Sequence, residues 1–199
     1  MFGAFARPNR KQNVRYRPYA ADMAEPLDTM PPHPPLEPTE VEMALFGLNR
    51  ARAQFAWKVG GLDAAALHRR FPPSDMTLAR LIKHLAWVED WRTASFLTGK
   101  PVGAPWDTVA PLPDDDWSCA DGDSPAELYE LWRGAVARSR AAWDAVLADG
   151  GLDQVSHFKT PVNLRWVIVD MHEEYARHTG HADLFREAID GLVGEDPPA

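Results

Sequence analysis

Four stretches of helical period, each opened by a capping signal and most closed by glycine, dominate this chain of 199 residues. Thr39-Glu40-Val41-Glu42 forms a capping box, in which a hydroxyl and a glutamate three residues on satisfy two orphan amides. Leu45, Leu48, Phe55 and Val59 follow at helix-compatible spacings, and Gly60-Gly61 stops the run. Thr77 caps a second helix through Leu78, Leu81, Leu85, Val88 and Phe96 to Gly99-Lys100-Pro101. Ser124-Pro125-Ala126-Glu127 opens a third, with proline at the position where its missing amide costs nothing. Leu128, Leu131, Ala135, Trp143 and Leu147 carry that helix to Gly150-Gly151. Asn163 caps a fourth, running from Leu164 to about Leu192. No segment alternates with period two, so the fold class is all-α. Four helices of about 20–29 residues predict a four-helix bundle roughly 30–40 Å long. The connection over residues 99–124 is long enough to cross over, making helices two and three roughly parallel. Trp106 and Trp117 would anchor that loop to the body.

Prolines mark the boundary of this body. Residues 1–38 hold Pro31, Pro32, Pro34 and Pro35 among others, with Arg7, Arg10, Lys11, Arg15 and Arg17 and no acid before Asp22. Proline lacks the amide donor and restricts its preceding neighbour, so residues 1–38 read as an extended or disordered extension and 39–199 as the helical domain. The extension has no apolar core of a secretory signal; an Arg-rich targeting peptide would carry serine, which is absent. With the basic extension set aside, the body is more acidic than the net −8 of the whole. That charge disfavours nucleic-acid binding, which needs a basic face. No run approaches ~18 consecutive apolar residues, so no membrane span is expected. The single cysteine, Cys119, excludes an intramolecular disulfide framework and a Cys-rich zinc module. These features predict a cytoplasmic protein.

The informative residues interrupt apolar stripes. On the second helix His84 sits among Leu81, Leu85, Val88 and Trp91. On the fourth, Glu174, His178 and His181 fall in the series Val167, Met171, Ala182, Phe185 and Ile189. Glu174 and His178 are one turn apart and about 40° around the axis, so their side chains converge. A carboxylate and imidazoles inside a core stripe are costly unless paired or coordinated. A lone core histidine is ordinarily a hydrogen-bonded one. Three such groups on facing helices suggest a metal site of His84, Glu174 and His178 with open positions for water or substrate. Glu174 and His181 are separated by about 10.5 Å along the axis. The spacing therefore leaves two pairs, Glu174/His178 or His178/His181, each with His84. His172 lies on another face, and His33, His68 and His157 show no companion spacing.

Other chemistries fail on their spacing. His172-Glu173-Glu174-Tyr175-Ala176 begins like a zinc-protease helix, but Ala176 stands where the second histidine belongs. No Glu-x-x-His occurs, as a ferritin-type di-iron site requires. Neither a phosphate loop nor a Gly-x-Ser-x-Gly elbow is present. Asp114-Asp115-Asp116 reads as a solvated corner, since a calcium loop lacks its glycine and terminal glutamate. These acids, with Asp121 and Asp123, surround Cys119 and disfavour its thiolate.

The stretch Thr77-Leu78-Ala79-Arg80-Leu81-Ile82-Lys83-His84-Leu85-Ala86-Trp87-Val88-Glu89 resembles the second helix of the DinB/YfiT-like superfamily. Arg52-Ala53-Gln54-Phe55-Ala56-Trp57-Lys58, Leu164-Arg165-Trp166 and Glu173 through Leu184 resemble its DUF664, or mini-circle protein, branch. The resemblance covers about residues 40–194. It implies a bundle with a divalent metal, commonly zinc or nickel, on His84, Glu174 and His178. Many relatives have histidine where this chain has Glu174; the mycothiol-dependent isomerases resemble it in using glutamate. His181 and Asp183 belong to the branch pattern, with His181 placed to orient a ligand or accept a proton. Characterised relatives use low-molecular-weight thiols such as mycothiol or bacillithiol. The expected function is metal-dependent transfer of such a thiol to an electrophilic small molecule. The metal would lower the pKa of a bound thiol or water. A metal-assisted hydrolase and a non-catalytic stress-response or binding protein with a structural metal are the rival readings. An exposed aromatic stripe would allow a homodimer.

Overall fold

The computed structural model describes residues 30–104, 106, 120–155 and 161–197. Among them the fold is all-α: four long helices, three short helical segments and two isolated bridges, with no strand. Helix α1 spans Glu40–Val59, α2 Ala64–Leu67, α3 Leu78–Trp91, α4 Pro125–Asp149 and α5 Leu164–Asp190. The capping signals act as the sequence predicts. Thr39 and Ser124 both complete capping boxes, and the Asn163 side chain accepts from the Trp166 amide.

Three features depart from the sequence reading. The four-residue α2, capped by Asp63, is too short to leave a periodic signal. The second long helix changes geometry at its end, where Arg92–Thr98 forms a π-helical segment closed by Gly99 in the left-handed region. Helix α5 stops at Asp190 rather than near Leu192, because Gly191 adopts φ 78° and its amide caps the Glu187 carbonyl.

Side-chain pairings give the helix directions. Helices α1 and α5 run the same way, since Glu40 meets Arg165 and Lys58 meets Asp183 at 2.6 Å. Helix α4 runs against α1, with Tyr129 donating to the Val59 carbonyl at 2.6 Å and Arg140 to Asn49 at 3.0 Å. Helix α3 runs with α4, Asp90 pairing with Arg138 and Thr93 with Ser139 and Trp143. It therefore opposes α5, and Phe96 stacks on Trp166 at one end while His84 faces His178 at the other.

A dry polar network locks this register. Glu89 is completely buried and accepts from Arg52 Nε and Nη2, both at 2.7 Å, and from the Tyr175 hydroxyl at 2.8 Å. Trp132 Nε1 donates to that hydroxyl at 2.8 Å, while Arg52 Nη1 reaches Asn49 at 3.1 Å. Ser139 donates to the Glu89 carbonyl at 2.9 Å. Each of the four long helices contributes, so sliding one would strand a buried charge or donor. The apolar core around it includes Phe55, Leu81, Leu85, Trp143, Val167 and Met171. Trp106 is buried as expected and donates to Asp90 at 2.8 Å. Trp117, Cys119, His157, Asp114–Asp116 and residues 1–29 lie outside the described residues. In the segment before α1, the His33 ring lies 5.7 Å from that of Phe46.

Candidate metal centre

His84 projects from the middle of α3, and Glu174 and His178 from successive turns of α5. The two imidazoles meet edge to face with centroids 4.6 Å apart. Glu174 Oε2 lies between them, 3.5 Å from His84 Nε2 and 3.4 Å from His178 Nε2. One ligand atom from each of the three residues falls within 4.8 Å of the others. Their burial is graded: the His178 side chain is 7% exposed, His84 16% and Glu174 25%, so Glu174 is the member most accessible to solvent. The structure thus brings together the Glu174/His178 pair with His84. It places His181 behind His178, Nδ1 to Nδ1 at 3.3 Å, on the side away from Glu174.

The spacing bears on what the cluster can hold. Charge-assisted hydrogen bonds draw nitrogen and oxygen to about 2.7–2.9 Å, shorter than either contact here. Donors about 2.0–2.1 Å from one tetrahedral ion would lie about 3.4 Å apart, close to both imidazole–carboxylate distances. Two neutral imidazoles and one carboxylate are also a familiar donor set for a divalent transition metal. The two imidazole–carboxylate edges and the donor types therefore suit such an ion, and the imidazole–imidazole edge, within 4.8 Å, would have to close for all three to bind it.

Electrostatics favours an ionised Glu174. The His178 and His84 side chains hold the Glu174 carboxyl well below the ordinary carboxylate range, leaving it an ionised acceptor. Burial, reinforced by His178 and Arg177, pulls His181 below the ordinary histidine value. A neutral His181 can accept a hydrogen bond from the Nδ1–H of His178, which would leave His178 Nε2 unprotonated towards Glu174.

Two residues beside the cluster escape the sequence reading. Arg92, in the first turn of the π segment, pairs with Asp170 at 2.6 Å and reaches Glu174 Oε1 at 3.7 Å. Its guanidinium lies over the Trp91 and Phe96 rings, at 4.5 and 5.2 Å. Burial raises the Asp170 carboxyl against the opposing pull of Arg92. The available signal was the four-residue series Asp170, Glu174, His178, one stripe of α5. Arg92 stands two turns beyond His84, where a cation ordinarily reads as surface. His172 is exposed, and among the described residues His68 Nε2 donates to the Asp123 carbonyl at 2.9 Å.

A family model described as mycothiol S-transferase matches residues 45–191, a span that holds all three donors. No curated protein and no solved structure matches the chain.

Proposed function

The chain belongs to the mycothiol S-transferase family, within the DinB-like superfamily, and on that premise we propose that it joins a low-molecular-weight thiol to an electrophilic small molecule at a divalent metal held by His84, Glu174 and His178. The observation that carries this reading is the part-exposed Glu174 oxygen set 3.4–3.5 Å from two imidazole nitrogens. When bound, the metal supplies Lewis acidity that lowers the pKa of a thiol at the site. Zinc and nickel suit the donor set, and mycothiol suits the family.

The chain's own residues do the rest. Glu174 contributes negative charge, His84 and His178 contribute imidazole nitrogen, and His178 is itself buried. His181 orients His178 by accepting a hydrogen bond from its Nδ1–H. It touches the back of the cluster, so we assign it positioning rather than proton transfer from substrate. In the reaction the thiol S–H bond is broken and its proton passes to solvent, sulfur bonds to the electrophilic carbon, and that carbon's leaving group, a halide on a halonitroaromatic, departs with the electron pair of the bond it breaks. The helix directions support a four-helix bundle whose second-to-third connection crosses over, and the sequence resemblance supports the DUF664 branch of the superfamily.

Elemental analysis of the purified protein tests the site. One equivalent of metal is expected after loading, with loss in His84→Ala and in His178→Ala. Full retention in both variants would overturn the ligand assignment. Incubation of loaded protein with mycothiol and an electrophilic nitroaromatic should yield the thioether. Hydrolysed electrophile without thioether would instead identify a hydrolase.

A further inference from the structure

Glu174 has two carboxylate oxygens with different surroundings, and the difference has a cause on the page. Oε2 faces the two imidazoles, whereas Oε1 is 3.7 Å from Arg92 Nη2. Arg92 cannot swing freely. Asp170 is ion-paired with it, accepting from Nη2 at 3.3 Å, with Nε 2.6 Å from Oδ2 but outside hydrogen-bond geometry, and the Trp91 and Phe96 rings lie against its plane. The π-helical turn that begins at Arg92 sets the side chain at this height on α3. π segments recur at functional sites because the wider turn re-aims side chains.

Resting on the metal reading above, we propose that Arg92 is a positioning residue that holds Glu174 Oε1, so that Glu174 offers a metal one oxygen and leaves a coordination position for the thiol. A carboxylate free to rotate can present both oxygens and fill that position. A guanidinium alone would be a poor restraint, because its charge also opposes a nearby dication. Asp170 offsets that charge, so the pair can steer Glu174 with little net repulsion of the metal. Arg92 and Asp170 thus act as a unit, one touching the ligand and one holding the restraint. The chemistry needs both members.

The experiment replaces the native metal with Co(II) in the full-length protein, whose visible absorption strengthens as coordination number falls. Wild type, Arg92→Met, Arg92→Lys and Asp170→Asn are compared by spectrum and by Co(II) affinity. We expect Arg92→Met to weaken and shift the visible bands towards higher coordination number and to change affinity by about 10–100-fold, as loss of a ligand's supporting partner does. Asp170→Asn should move the spectrum the same way by releasing Arg92. Arg92→Lys, which keeps the charge without the fork, should lie between. Spectra and affinities unchanged in both Arg92→Met and Asp170→Asn would overturn the proposal. Failure of wild type to bind stoichiometric Co(II) would overturn the metal reading itself, a distinguishable result. A thermal melt of each variant identifies loss by unfolding; if Arg92→Met unfolds, Asp170→Asn decides.

Discussion

Replacing Arg52 by methionine removes both guanidinium bonds to a carboxylate with no solvent to fall back on. Glu89 is 0% exposed and Arg52 2%, and their two contacts are both 2.7 Å. After Arg52→Met, Glu89 keeps the Tyr175 hydroxyl as a donor, which cannot neutralise a buried charge. Breaking such a pair from one side costs about 3–5 kcal/mol. Melting temperature moves about 2–4 °C per kcal/mol in a domain of this size, so a fall of roughly 6–20 °C is expected. Glu89→Leu strands Arg52 and should cost a similar amount. The double variant leaves no charge buried; its main defect is the Tyr175 hydroxyl without its acceptor, worth about 1–3 kcal/mol. The two single costs should therefore exceed the double cost by at least about 3 kcal/mol. Urea unfolding with chelator present measures all four proteins in the absence of metal. An Arg52→Met cost below about 1 kcal/mol, or simple additivity in the double variant, would refute the reasoning.

Three further outcomes follow from the same structure. Removing the Ser124 hydroxyl by alanine should lower stability by about 1 kcal/mol, because the Glu127 amide loses its capping oxygen; no change in urea midpoint would contradict the cap. Burial raises the Tyr129 phenol, which donates to the Val59 carbonyl at 2.6 Å. The unfolded phenol ionises first as pH passes its ordinary value of 10, so stability should be flat below that point and fall above it. Tyr129→Phe should shrink the alkaline fall, and an unchanged slope would exclude this contribution. Zinc at about 100 times its dissociation constant should stabilise the native protein by about 2.7 kcal/mol, read as a higher melting temperature. The rise should vanish in His178→Ala.

The fold was legible where local chemistry acts alone. Thr39, Thr77, Ser124 and Asn163 start helices because their side chains satisfy amides within three residues, and every such partner lies in the sequence window that reveals it. The α-to-π change at Arg92 was not legible, since Thr93 is held by Ser139 and Trp143 from another helix. For the site, Glu174 and His178 could be paired from a one-turn spacing on a single helix. Their choice over His178/His181 needed the direction in which His84 arrives from α3. Arg92 and Asp170 were hidden for a related reason. Their significance lies across the α3–α5 interface, between residues 78 positions apart in sequence.

Two glutamates on these facing helices show why contact lengths matter more than residue type. Glu89 draws Arg52 and Tyr175 to 2.7–2.8 Å, as a buried carboxylate does when its partners can reach it. Glu174, next to Tyr175 in sequence, keeps both imidazoles at 3.4–3.5 Å. The wider spacing is not slack between α3 and α5, because the Tyr175–Glu89 bond ties those helices together at 2.8 Å one residue away. A rigid frame that closes one polar cluster and holds the other apart favours different roles for them. The first is satisfied by the chain itself. The second has donor spacing suited to an ion between its atoms, so metal loading should change the Glu174 cluster while leaving the Arg52–Glu89 contact intact. Histidine NMR signals that shift on zinc addition, with the Trp132 indole proton unmoved, would bear this out. Displacement of both would show that the two clusters are mechanically one.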